Sequence, residues 1–152
     1  MNNLSTMKKM LLLALLCMFR PCNSLNAEPQ ETEGKLTFHL TGFENNSGQA
    51  ILKLFRQEDK LPSKPSLELK AEIIGNESLI WVDHLPYGEY AAIVVHDKNS
   101  NGEIDHTLGI PTEPLRFTNN WHLSLFSGMP SFEKLKFLYD GSHNTITIRM
   151  DH

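Results

Sequence analysis

The sequence predicts an all-β domain: an antiparallel β-sandwich of about seven strands, with one long loop after the fifth. Three observations predict it. Apolar and polar residues alternate with a period of two in most segments beyond residue 34, as in a strand with one buried face. Turn chemistry rich in Gly, Asn and Pro separates those segments, because Gly and Asn tolerate positive φ and Pro ends regular pairing. Beyond residue 34, no long stretch repeats its apolar residues at the three-to-four spacing of a helix.

Lys35 to Leu40 (KLTFHL) alternates and reads as the first strand. Asn45-Asn46-Ser47-Gly48 follows as a turn, and Ala50 to Phe55 (AILKLF) returns, so the first two strands are expected to form a hairpin. Leu61 to Pro65 (LPSKP) is a loop. Leu67 to Ile73 (LELKAEI) alternates as a third strand, Gly75-Asn76 turns, and Ser78 to Asp83 (SLIWVD) is the fourth. Leu85-Pro86-Tyr87-Gly88 leads into Tyr90 to Val95 (YAAIVV), whose near-continuous apolar run suits a central strand buried on both faces. Tyr90, two residues past Gly88, resembles the tyrosine-corner device of β-sandwiches. From Asp97 to Ser131 no period is sustained; loops this long carry function or local order of their own. Phe132 to Tyr139 and Thr145 to Met150 close the chain as alternating strands.

The chain of 152 residues opens with Lys8-Lys9, an apolar run from Met10 to Phe19, and small or polar residues ending at Ala27. That order is a secretory signal peptide over residues 1–27, with an apolar run shorter than a bilayer span. Residues 28–34 form a polar, disordered lead-in, and 35–152 a single domain. The expected location is outside the cytoplasm, periplasmic or secreted. No stable membrane span is expected to remain after cleavage. Removing Lys8, Lys9 and Arg20 leaves 11 basic residues against 18 acidic, a net charge of −7 in place of −4. That balance argues against nucleic acid and anionic membranes as partners. Both cysteines, Cys17 and Cys22, leave with the signal, so disulfides are not expected to brace the domain.

His96 to Asp105 (HDKNSNGEID) carries the densest chemistry. Asp97, Asn99 and Asn101 take the first, third and fifth places of an EF-hand-type loop, with Gly102 at the sixth-place turn and Asp105 at the ninth. The Glu103 carbonyl falls at the seventh place, and Ile104 anchors the loop. Hard oxygen donors at this spacing suit Ca2+. Leu108 stands where the bidentate Glu belongs, so Glu113 is the nearest acid able to complete the set. With two formal charges the expected affinity is weak, ~10⁻⁴ M. The alternative is an Asx-rich turn whose side chains bond only their own backbone.

Other constellations carry less. His84, His96, His106 and His122 lack metal-ligand spacing and are expected to be structural. No G-x-S-x-G elbow occurs, and alternation turns Glu68 and Glu72 to solvent, so no catalytic residues are assigned. A small envelope hydrolase or transferase acting on glycans or peptides stands as the alternative to a non-enzymatic binding or structural module. Asn119, Asn120, Trp121 and Phe126 form a candidate ligand surface for an envelope glycan, peptide or protein. The competing reading has Trp121, Leu123, Leu125, Phe126, Met129 and Phe132 folding back to cap the sandwich.

Leu85-Pro86-Tyr87-Gly88-Glu89-Tyr90, His96-Asp97-Lys98-Asn99-Ser100-Asn101-Gly102, Leu108-Gly109-Ile110-Pro111, Phe117-Thr118-Asn119-Asn120 and Pro130-Ser131-Phe132-Glu133 occur in this order. The set resembles a bacterial family of exported proteins known as a domain of unknown function, number twenty-one forty-one, over about residues 35–150. The resemblance implies a transthyretin-like or immunoglobulin-like β-sandwich behind a signal peptide. It implies no activity. Ser100 stands where the family usually has Gly, and Trp121 to Ser127 departs from the family's Arg- and Gly-rich pattern.

Overall fold

In the computed structural model, residues 32–108, 110–124 and 128–151 are described. The expected signal peptide and Phe126 lie outside them. Two sheets face each other. The first has the order β10-β1-β4 and the second β3-β2-β5-β8. Their strands are β1 (Glu33–Thr41), β2 (Gln49–Phe55), β3 (Leu67–Glu72), β4 (Glu77–Pro86), β5 (Gly88–Asp97), β8 (Leu115–Phe117) and β10 (Thr145–Arg149). Between β5 and β8 stands a small separate hairpin, β6 (His106–Thr107) with β7 (Ile110–Pro111). β9 (Phe137–Tyr139) pairs with the start of β5. The all-β sandwich is therefore as the alternation predicts, and β1 begins two residues before the expected Lys35.

The expected hairpin between the first two strands does not form. β1 pairs antiparallel with β4 and parallel with β10, whereas β2 pairs with β3 and β5. The Asn45–Gly48 turn carries the chain from one sheet to the other, so Leu36, Phe38 and Leu40 of β1 face Leu52 and Leu54 of β2 across the core. Alternation fixes which face of a strand is buried but not which strand lies beside it.

A second correction concerns Phe132 to Tyr139, expected as one strand. Phe132–Leu135 is a single helical turn, α1, and only Phe137–Tyr139 is extended. Leu135 points into one apolar cluster and Tyr139 into another, which a straight strand between them would not serve. The Thr118 hydroxyl donates to the Leu135 carbonyl and fixes the bend.

Those two clusters explain the apolar run of β5. Tyr90, Ala92 and Val94 point between the sheets, while Ala91, Ile93 and Val95 point out of the second sheet. The outward set would meet water but for the excursion after β5, which returns Phe117 and Leu135, with Leu115, Trp121 and Phe132, over that face. β5 is thus buried on both sides, as expected. The long loop has local order and serves as a cover for the second sheet. Tyr90 donates its hydroxyl to the Pro86 carbonyl at 2.7 Å, locking the β4–β5 connection as a tyrosine corner does. Among the described residues no helix is long and apolar enough to cross a membrane.

Candidate functional site

The candidate loop leaves the end of β5, where His96 and Asp97 are both buried. Asp97 accepts from the Gln49 side-chain amide at 2.7 Å and from the Gly102 N–H at 2.8 Å, both at Oδ2. Its other oxygen, Oδ1, is buried and makes no hydrogen bond. Burial pushes the carboxyl's pKa up. The Gln49 amide and the N–H groups of Gly102, Asn101 and Ser100 outweigh that and hold it below its ordinary value. Those of Asn101 and Ser100 favour the charge by proximity, without a well-formed bond to Oδ1.

From there the chain curls as an Asx-rich turn. Asn99 Oδ1 accepts from the Asn101 N–H at 3.0 Å, and Asn101 Oδ1 from the Glu103 N–H at 2.8 Å. Ser100 and Gly102 carry positive φ of 58° and 82°, the second falling where the motif requires its tight turn. The amide nitrogens of Asn99 and Asn101 both reach the Asp105 carboxylate, at 2.7 and 3.0 Å. Glu113 closes the ring from outside. Buried, it accepts from the Lys98 N–H at 2.9 Å and the Asp105 N–H at 3.2 Å. Asp97, Asn99, Asn101 and Asp105 are therefore linked in one network, braced by Glu113 as the downstream acid. Among the described residues, no three His, Cys, Asp or Glu side chains are grouped tightly enough to hold a metal ion by themselves.

Residues distant in sequence anchor this network. His96 shares a hydrogen bond with the Ser47 carbonyl, so Nε2 carries the proton and donates at 2.9 Å. Phe43 meets the His96 ring edge-on at 5.2 Å between centroids. Gly48 lies so close under Asp97 that an added Cβ would collide with the Asp97 carbonyl. Gln49, Gly48 and the Ser47 carbonyl belong to the site, and local motif reading misses them because nothing in the 97–105 spacing encodes a partner 48 residues away.

The other candidates are scattered. His84 is exposed and pairs with Glu33, while His106 and His122 are exposed. Asn119 donates to the Lys136 carbonyl at 2.8 Å, tying the cover down. Trp121 stacks edge-on against Phe117 at 4.9 Å and packs on the outer cluster. Asn120 is exposed. Asn119 and Trp121 therefore hold the cover to the sheet.

The sequence pattern of one bacterial family, described as "Uncharacterized protein conserved in bacteria (DUF2141)", matches residues 38–147. The chain belongs to this family. The match runs from within β1 into β10, so the DUF2141 domain is the sandwich described above, loop included. No curated protein and no solved structure matches the chain.

Proposed function

We propose that this DUF2141 protein is an exported, non-enzymatic binding module whose 97–105 loop takes a calcium ion weakly and thereby fixes the excursion that covers the second sheet. The observation that carries the reading is Asp97: a buried, charged carboxylate with one oxygen lacking any hydrogen bond, at the first position of an oxygen-rich loop. Leaving a buried charged acceptor half-satisfied costs roughly 1–3 kcal/mol unless something meets it. A divalent cation would.

Asn99 and Asn101 fit that role. Turning each side-chain amide about its last bond exchanges nitrogen for oxygen, so both would offer carbonyl oxygens beside Asp105, giving up their bonds from the Asn101 and Glu103 N–H groups in exchange. With Asp97, Asp105 and the Glu103 carbonyl, this gives an all-oxygen set of the kind Ca2+ takes. The ion would supply charge neutralisation and rigidity. A buried Glu113 gripping the Lys98 and Asp105 N–H groups would transmit that rigidity to the start of β8.

The test is thermal unfolding of the purified protein against calcium. At a Kd of ~10⁻⁴ M, calcium at ~100 Kd should add about 2.7 kcal/mol, raising Tm by on the order of 10 °C. A chelator should reverse the gain, and Asp97→Ala should abolish it. A melting temperature indifferent to millimolar calcium, in wild type and variant alike, overturns the ion reading.

A further inference from the structure

We propose that the Lys70 ammonium is a tethered cation that competes with calcium for the 97–105 loop, so that lysine and ion exclude each other and Lys70 sets the affinity of the site. This rests on the reading of that loop as a calcium site and extends the site to a strand outside it.

Strand pairing brings Lys70 to the loop. Lys70 of β3 lies beside Ile51 of β2, and Ile51 beside Val95 of β5. Ile51 and Val95 belong to the outer cluster. Lys70 therefore shares the outer face of the second sheet, on which Asp97 is the next β5 residue after Val95. β3 is the edge of that sheet, and two strand spacings put its backbone about 10 Å from β5, within reach of the loop for an extended lysine stem. The stem makes that reach: Nζ lies against Gly102, where an added Cβ would strike it. Gly102 is also the residue whose N–H donates to Asp97 Oδ2 at 2.8 Å. Its lack of a side chain serves both the tight turn and the place of the ammonium.

Bonding does not account for that position. An ammonium carries three donors, yet among the described residues Lys70 forms no hydrogen bond and one long ion pair, at 3.9 Å to Glu68. Lys53 holds Glu68 more closely, at 3.2 Å. Charge does account for it. The loop carries Asp97, Glu103 and Asp105, and its own Lys98 pairs with Glu44 at 2.6 Å instead. Lys70 is the side-chain cation drawn to this field. A calcium ion at Asp97 Oδ1 would answer the same field and repel the ammonium. A unit charge and a divalent ion ~8 Å apart in water repel by an amount worth roughly fivefold in binding, and more where water is excluded. The lysine can leave at little cost, because its stem is flexible and no hydrogen bond is lost.

The experiment is calorimetric titration of the purified protein with calcium chloride, in wild type, Lys70→Met, Lys70→Arg and Lys53→Met. Lys70→Met keeps the stem and removes the charge, and should tighten calcium binding about fivefold or more. Lys70→Arg keeps the charge and should stay within about twofold of wild type. Lys53→Met removes the same net charge from the same face. At an ionic strength of about 0.15 M, where exposed charges are screened beyond about 8 Å, it should also stay within about twofold. Calcium binding in Lys70→Met no tighter than in wild type or in Lys53→Met overturns the proposal and leaves the loop reading standing. So does Lys70→Arg tightening as much as Lys70→Met. No heat of binding and no calcium-dependent rise in Tm in any of the four proteins overturns the loop reading, and the role of Lys70 with it. The Lys70 side chain is 43% exposed on an edge strand, so its variants should keep the wild-type melting temperature in chelator. If Lys70→Met melts early there, Lys70→Gln takes its place in the comparison.

Discussion

At the scale of single residues, the chain concentrates its unusual chemistry at Asp97. Its carboxyl pKa is held below its ordinary value of 3.8 by donors that outweigh burial, so the folded state prefers the charged form. The sign follows directly. Above about 3.8 both states are ionised and the stabilisation is complete. As pH falls below 3.8 the unfolded state takes up the proton first, and the stabilisation fades until the lower folded value is passed. Denaturant titrations from pH 6 to pH 2 should therefore show stability falling below about pH 4. Asp97→Asn should flatten that fall and cost on the order of 1–3 kcal/mol at pH 7. Gly48→Ala should cost more, about 3 kcal/mol or above, since its φ of 76° is left-handed and the new methyl group would strike the Asp97 carbonyl; urea unfolding reads it. Asp97, Asn99, Asn101, Gly102 and Asp105 are legible in the sequence because turn and ligand chemistry are local. Gln49 and Ser47 are not, because only the pairing of β2 with β5 brings Gln49 opposite Asp97.

At the scale of elements, alternation located β1 to β5 and β10 to within a few residues, and the continuous apolar run of β5 correctly implied burial on both faces. Partnering was beyond its reach. A turn such as Asn45–Gly48 looks the same whether it joins two strands of one sheet or crosses to the facing sheet. Phe132 to Tyr139 misled for a different reason: its period suits a strand, but Leu135 and Tyr139 must reach separate clusters, and the chain bends at α1 to let them. The Thr118 hydroxyl that holds this bend is buried, bonding the Leu135 carbonyl and the Ala92 N–H. Thr118→Val removes the hydroxyl with little change of shape and should cost about 1–3 kcal/mol. Hydrogen exchange should rise in residues 115–117 and 132–137 before it rises in β1 or β4, because only the cover is loosened. Tyr90→Phe, which leaves the Pro86 carbonyl without its donor, should cost roughly 1 kcal/mol in the same unfolding assay.

At the scale of the whole molecule, β5 is shared by the domain's two cores, and calcium at the 97–105 loop is expected to stiffen the cover that closes the outer one. A calorimetric scan in chelator should then broaden or split as the outer cluster loosens first, and added calcium should restore one sharp transition. The parallel pairing of β1 with β10 has a separate consequence. Thr37 lies beside Thr145 and Thr41 beside Arg149, so the chain enters the sandwich at one end and leaves it at the other. Tension applied between entry and exit would slide the two strands past each other along their length. The backbone bonds between them would be loaded together in shear instead of opening one by one like a zip, which makes the domain a link able to bear force if it is tethered at both ends.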